Sequence, residues 1–166
     1  MPGSAKLNVG EVAEILSVSC PSPGNCAAGG DYRDSSGSNQ AWVADEVAGT
    51  WEPMIEVPGT AAFSAGGFTT GAALTAISSV SCASPGNCAA GGYEAYVAGR
   101  EAIVAVETGG VWQRATEVPG TSVLNAGGGA EIDSVSCASP GNCAAGGGYE
   151  DRSRRSQALV ADKVGS

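Results

Sequence analysis

Six cysteines recur as three Cys-x5-Cys pairs, Cys20/Cys26, Cys82/Cys88 and Cys137/Cys143, each flanking a Pro-Gly-Asn turn. Opposed positions on a hairpin hold their Cβ atoms roughly 4.5 to 5.5 Å apart, close to the mean of about 3.8 Å for a disulfide. Six thiols allow about 15 connectivities, and the repetition favours the three local ones. With so short a loop, each bridge would contribute about 2 kcal/mol. Zinc is the competing chemistry, but it gathers four ligands at one point. The chain has no histidine, and thiols on three separate hairpins do not converge, so neither metal nor cofactor is expected. Buried reduced thiols in a cytoplasmic protein stay open as the alternative, whereas disulfides favour an extracellular or cell-surface setting.

The lack of histidine also removes the usual general base and every His-containing triad. Glycoside hydrolysis would need two carboxylates about 5 to 10 Å apart, yet Asp and Glu are scattered through turns. Of the arginines, Arg33, Arg100, Arg114, Arg152, Arg154 and Arg155, only the last three form a short cluster. No GxxxxGK[ST] occurs, so the Gly-Gly pairs read as tight packing rather than a phosphate cradle. Trp42, Trp51 and Trp112 could be sugar platforms, but two of them recur at one repeat position, which suits packing equally. No catalytic residue is assigned.

The elements that carry these residues follow from an internal repeat. Ser17–Gly30, Ser79–Gly92 and Ser134–Gly147 are nearly identical. Cys20 to Cys82 is 62 positions and Cys82 to Cys137 is 55, and most of the difference lies between Pro58 and Cys82. Each unit of roughly 55 residues contains four strand-like runs. Ser-Val-Ser-Cys, led in by Leu16, Ile77 or Ile132, comes first. Cys-Ala-Ala-Gly-Gly follows the turn, its small residues marking a place where backbones approach closely. The third run, 41–47, 102–106 and 158–164, is apolar on both faces and so is covered on both sides. The fourth, 51–57 and 112–118, contains Pro53 in the first unit and reads as an edge strand.

The chain is therefore expected to be all-β: three repeats of a four-stranded antiparallel meander in one domain over 1–166. The units span about 2–57, 58–118 and 119–166, the last lacking its fourth strand. Propeller-like blades are the leading arrangement, and a threefold β-trefoil-like barrel is the alternative. The motifs Ser-Val-Ser-Cys, Asn-Cys-Ala-Ala-Gly-Gly and Glu-Thr-Gly-Gly-Val-Trp, taken together, resemble blades of the Asp-box (BNR, sialidase-type) β-propeller superfamily, as in repetitive secreted actinobacterial proteins. Asp45 to Trp51 and Glu107 to Trp112 occupy the place of the Asp-box hairpin in degenerate form. The resemblance implies a fold rather than an activity, and the arginine cluster with a Tyr-Glu pair that sialidases use is not recognisable here.

A formal net charge of −9 argues against nucleic acid or anionic lipid as partner. No apolar run is long enough to span a membrane as a helix, and the first sixteen residues do not read as a secretory signal. The chain is expected to be a processed protein, a piece of a longer one, or a protein that stays in the cytosol.

In a meander, the loop between strands two and three emerges on the same side as the loop between units. Those loops vary between the repeats and carry polar and Tyr residues, as a binding face on a rigid scaffold does. They supply Asp31, Tyr32, Arg33, Tyr93, Glu94, Tyr149 and Glu150, joined by Asn8 and Asn125 from the inter-unit loops and by Phe63-Ser64 in the insertion. The expected function is a non-catalytic extracellular module that recognises glycan or protein through this face. A structural self-assembling protein and a carbohydrate-active enzyme of sialidase-like fold are the alternatives. The expected partner is a second copy, forming a homodimer that closes a six-bladed ring.

Overall fold

The computed structural model describes residues 1–60, 74–96 and 99–162. The described residues are almost wholly β, and the helices with both ends described are single turns, α1 (Ser4–Leu7) and α2 (Thr121–Leu124). In the first unit, β1 (Ala13–Ser22), β2 (Asn25–Arg33) and β3 (Asn39–Val47) form an antiparallel meander. β4 (Thr50–Trp51) and β5 (Ile55–Glu56) both pair with β3. In the second, β6 (Leu74–Ser84), β7 (Asn87–Tyr96) and β8 (Gly99–Thr108) pair in the same way, with β9 (Val111–Trp112) and β10 (Thr116–Glu117) on β8. In the third, β11 (Glu131–Ser139), β12 (Asn142–Glu150) and β13 (Ser156–Asp162) form a three-stranded sheet. No barrel closes among the described residues, because β1 and β10 end one sheet and β11 and β13 end the other. The threefold-barrel alternative is therefore not the architecture.

The hairpin turns follow from their residues. Pro23 and Gly24 make the two-residue turn between the paired Ser22 and Asn25, and Gly24 takes a φ of 72°, which proline and glycine suit respectively. The Asn25 side-chain amide donates to Ser22 Oγ and to the Pro23 carbonyl, and Asn87 repeats both bonds. A Cβ on Gly24 would lie 3.0 Å from Gly49 N, which donates to the Gly24 carbonyl. Cys20–Cys26, Cys82–Cys88 and Cys137–Cys143 are all disulfide-bonded, so the local pairing holds and no cysteine is free.

The fourth run is two short strands, not one. Pro53 is not the sole cause, since the second unit breaks at the same place without a proline. In both, the N–H between the two pieces turns away to a linker carbonyl: Met54 N–H donates to Pro2 O, and Ala115 N–H to Pro58 O. The part of the third run at 163–164 lies outside the described residues.

The core is built between units. Ile77 and Val80 of the second unit pack on Ala27, Ala41, Val43 and Val57 of the first, and Ile132 and Val135 of the third pack on Ala89, Ala102, Val104 and Val118 of the second. A Cβ on Gly29 would meet Ile77 Cγ2 at 2.7 Å and Val80 Cγ2 at 2.9 Å; on Gly91 it would meet Ile132 and Val135 at 2.5 and 2.8 Å. The second glycine of each pair has a different reason: at Gly30 and Gly92 a Cβ would strike the carbonyl oxygen of Glu14 or Ala76, beside the bulges in β1 and β6. The Gly-Gly pairs are thus places of close approach, as the composition suggests. Seating one Ile and one Val contributes about 3 to 6 kcal/mol per junction.

Polar contacts follow the same repeat. Ser17 and Ser19 Oγ accept from the outward N–H groups of Val80 and Cys82, and Ser79 and Ser81 accept from Val135 and Cys137, at 2.9 to 3.0 Å. Trp112 Nε1 reaches back to Asp45 Oδ2 at 2.9 Å. The register aligns Ile15, not Leu16, with Ile77 and Ile132, because Ile15 lies opposite Gly30 as Ile77 does Gly92, and Leu16 sits in the bulge.

Gly91→Ala is expected to destabilise the fold by about 1 to 3 kcal/mol through overpacking. Gly146→Ala, whose Cβ would meet nothing nearer than Leu159 O at 3.9 Å within the chain, should be near neutral in dilute solution, where the chain stands alone. Urea denaturation of the two variants measures the difference.

Candidate functional site

The ends of β2, β7 and β12 carry most of the residues expected to bind a ligand, and much of that chemistry is used internally. Asp31 is buried and accepts from the Asn39 amide at 2.8 Å, while burial and the nearby Glu14 push its carboxyl up. Tyr32 is buried and donates to Glu56 Oε2 at 3.0 Å, and its phenol is pushed up first by burial and then by Glu56. Arg33 is exposed. Asn125 is a bracket: its amide donates to Arg100 O at 2.7 Å, and its Oδ1 accepts from Gly129 N–H at 2.7 Å. Asn8 Oδ1 is enclosed without a donor among the described residues. Tyr149 and Glu150 are half-buried. Phe63-Ser64 lies outside the described residues.

The three tyrosines do not share one surface. Tyr32 lies opposite Gln40 and Tyr149 opposite Gln157, but Tyr93 lies opposite Ala102, one position earlier in its strand. With a side-chain period of two, that step turns Tyr93 to the other face of its sheet, where Arg100 stacks on its ring at 4.1 Å. Arg100 also pairs with Glu131.

Glu94 takes the position of Tyr32 in the second unit. Where Tyr32 donates to Glu56, Glu94 faces the equivalent Glu117, a carboxyl against a carboxyl. It is 1% exposed, and neither oxygen finds a donor among the described residues. Burial, reinforced by Glu101 and Glu117, raises it to about 8. Trp42 is no platform: it is buried, and its indole donates to Glu14 O and Asp31 O.

The loops themselves are pre-organised. Asp34 Oδ1 accepts from Ser36 N–H and Ser38 N–H, and Asp151 Oδ1 from Ser153 N–H and Arg155 N–H; each Oδ2 takes a glutamine amide, Gln40 or Gln157. At Asp34 these bonds outweigh the effect of burial and lower the carboxyl, and Asp151 is lowered chiefly by the Arg155 N–H.

A second group of residues stands out at the two end faces, and repeat-based reading of the loops passed over it. Ile15 and Val18 are 56% and 52% exposed, although their equivalents Ile77 and Val80 are 0% and 6%. Val160 is 74% exposed, against 0% and 7% for Val43 and Val104. Ser134 and Ser136 receive no N–H among the described residues. The signal lay in the repeat itself: each Ser-Val-Ser-Cys has a counterpart in the next unit except the last, and each needs a counterpart before it except the first.

Among the described residues no helix is long and apolar enough to cross a membrane, and no group of three or more Cys, Asp or Glu could hold a metal ion. No family model matches the chain, and neither does any curated protein.

Glu94 binds its proton more tightly in the folded protein than the ordinary value of 4.5, so its contribution is full below about 4.5 and is lost as pH rises through about 8. Melting temperature should therefore fall between pH 5 and pH 8.5. Glu94→Gln should flatten that slope by an amount on the order of a few °C, measured by calorimetry across the range; an unchanged slope would remove Glu94 as its cause.

Proposed function

We propose that the chain is a non-catalytic, extracellular structural module of propeller-like blades, and that it docks end to end with a second copy to complete a ring of six units. The observation that carries this reading is the uncovered state of two faces that are matched at both internal junctions. On one end stand Ile15, Val18 and the outward N–H groups of Val18 and Cys20. On the other stand Gly146, Val160, Ser134 and Ser136. Placed as at the internal junctions, Val18 and Ile15 seat over Gly146, and the two serines accept from Val18 and Cys20 of the second copy.

A further detail favours the pairing. Asp45, Val106 and Asp162 are equivalent, lying opposite Ala27, Ala89 and Ala144. The carboxylate stands at Asp45, ahead of Trp112 which donates to it. It returns at Asp162, where Trp51 of the second copy would arrive. Two such head-to-tail contacts related by a twofold axis close on themselves. The blade-like meanders and the Asp-box resemblance support the propeller reading, and three disulfides support an oxidising, extracellular setting.

Recognition of glycan or protein through the loop face is the second reading. The two loops ordered by Asp34 and Asp151 favour it, because they hold Arg33, Arg152 and Arg154 on a pre-organised edge.

Sedimentation equilibrium tests the assembly. Trp51→Phe and Asp162→Ala should each weaken dimerisation about a hundredfold, the loss of one buried hydrogen bond of about 1.4 kcal/mol at each of two junctions, and the double variant should be about as weak as either alone. A wild-type chain that stays monomeric at millimolar concentration contradicts the proposal.

A further inference from the structure

A cavity of about 370 Å³ opens between the first and second units, inside a single copy and away from both end faces. Its walls are of two kinds. Pro21, Val47 and Pro85, with the cysteines of two disulfides, are its apolar lining, and Asp45, Glu46, Glu52 and Glu107 are its acidic lining. No lining residue is basic.

Glu107 is the anomaly. It is 4% exposed, it lines the cavity, and its Oε2 is enclosed without a hydrogen-bond donor among the described residues. Burial raises it to about 7, and the charges of Asp45 and Glu52 add to the effect. Asp45, raised by its own burial, has the Trp112 indole N–H as a donor. An unpaired buried carboxyl is costly, and this one faces a space large enough for a ligand group.

We propose that this cleft is a binding site for an alkylammonium group, which donates to the Glu107 carboxylate while its methylene stem lies along the Pro21, Val47 and Pro85 wall. An ammonium brings three N–H donors and a full positive charge, and alkyl stems on such groups pack readily against apolar surface. A hard divalent cation fits less well: it takes about six to eight oxygens at one point, and no group of three such ligands converges among the described residues. The second internal junction differs, since the residue equivalent to Asp45 there is Val106. It does not depend on self-association.

The test is an NMR titration of the disulfide-intact chain with cadaverine, with Nα-acetyl-lysine amide and with magnesium chloride. Cadaverine should shift the Glu107, Gly109 and Asn25 amides saturably, with a Kd on the order of millimolar for so small a ligand. Glu107→Gln should weaken binding about tenfold. Glu52→Gln, at an exposed position that leaves the fold intact, should weaken it about threefold and carries the test if the first variant does not fold. Binding of acetyl-lysine amide as well supports a lysine side chain of another protein as occupant; binding of cadaverine alone supports a free amine. Shifts that do not saturate, that magnesium reproduces equally, or that neither variant weakens would overturn the proposal.

Discussion

An isoleucine and a valine from one unit sit where a Cβ on the preceding unit would have to be, and that unit is glycine there. Ile77 and Val80 over Gly29, and Ile132 and Val135 over Gly91, bring neighbouring sheets close enough for serine hydroxyls to take the outward N–H groups of the next strand. Aromatic bulk contributes little to this core, which is mostly alanine, valine and isoleucine. A chain with so few large side chains gains stability from the closeness of its layers, and that closeness requires glycine.

The same constraint explains the chemistry around it. An inward-facing first strand leaves its outer N–H groups unpaired unless something accepts them, and Ser17, Ser19, Ser79 and Ser81 do so. The disulfides close each hairpin near its tip, and in the first two units that tip rests on the turn after the third strand. The buried carboxyl of Glu94 lies where a repeat position changed type without its partner changing. Tyr32 opposite Glu56 became Glu94 opposite Glu117.

Much of this was legible in the sequence. The near-identity of the three Ser-Val-Ser-Cys to Gly-Gly segments marks the repeat, Cys-x5-Cys around Pro-Gly-Asn marks local disulfides, and the small residues of the second strand mark close approach. Three features were not legible. The bulge that aligns Ile15 rather than Leu16 depends on a backbone irregularity with no residue signature. The one-position offset of Tyr93 follows from the same kind of register, so tyrosines that look equivalent face opposite ways. The break in the fourth strand comes from linker carbonyls far along the chain, and Pro53 was only a partial cue. Residue type identified the polar loops, while the hydrogen bonds that Asp31, Tyr32 and Asn125 make inside the fold show only in the structure.

Amide hydrogen exchange resolved to single residues tests the unit-to-unit docking most directly. The N–H groups of Val80, Cys82, Val135 and Cys137 should exchange slowly at any protein concentration, while those of Val18 and Cys20 should be fast in dilute solution and become protected as concentration rises. Exchange of the first four at the rate of an open strand edge would contradict the docking on which the whole structure rests.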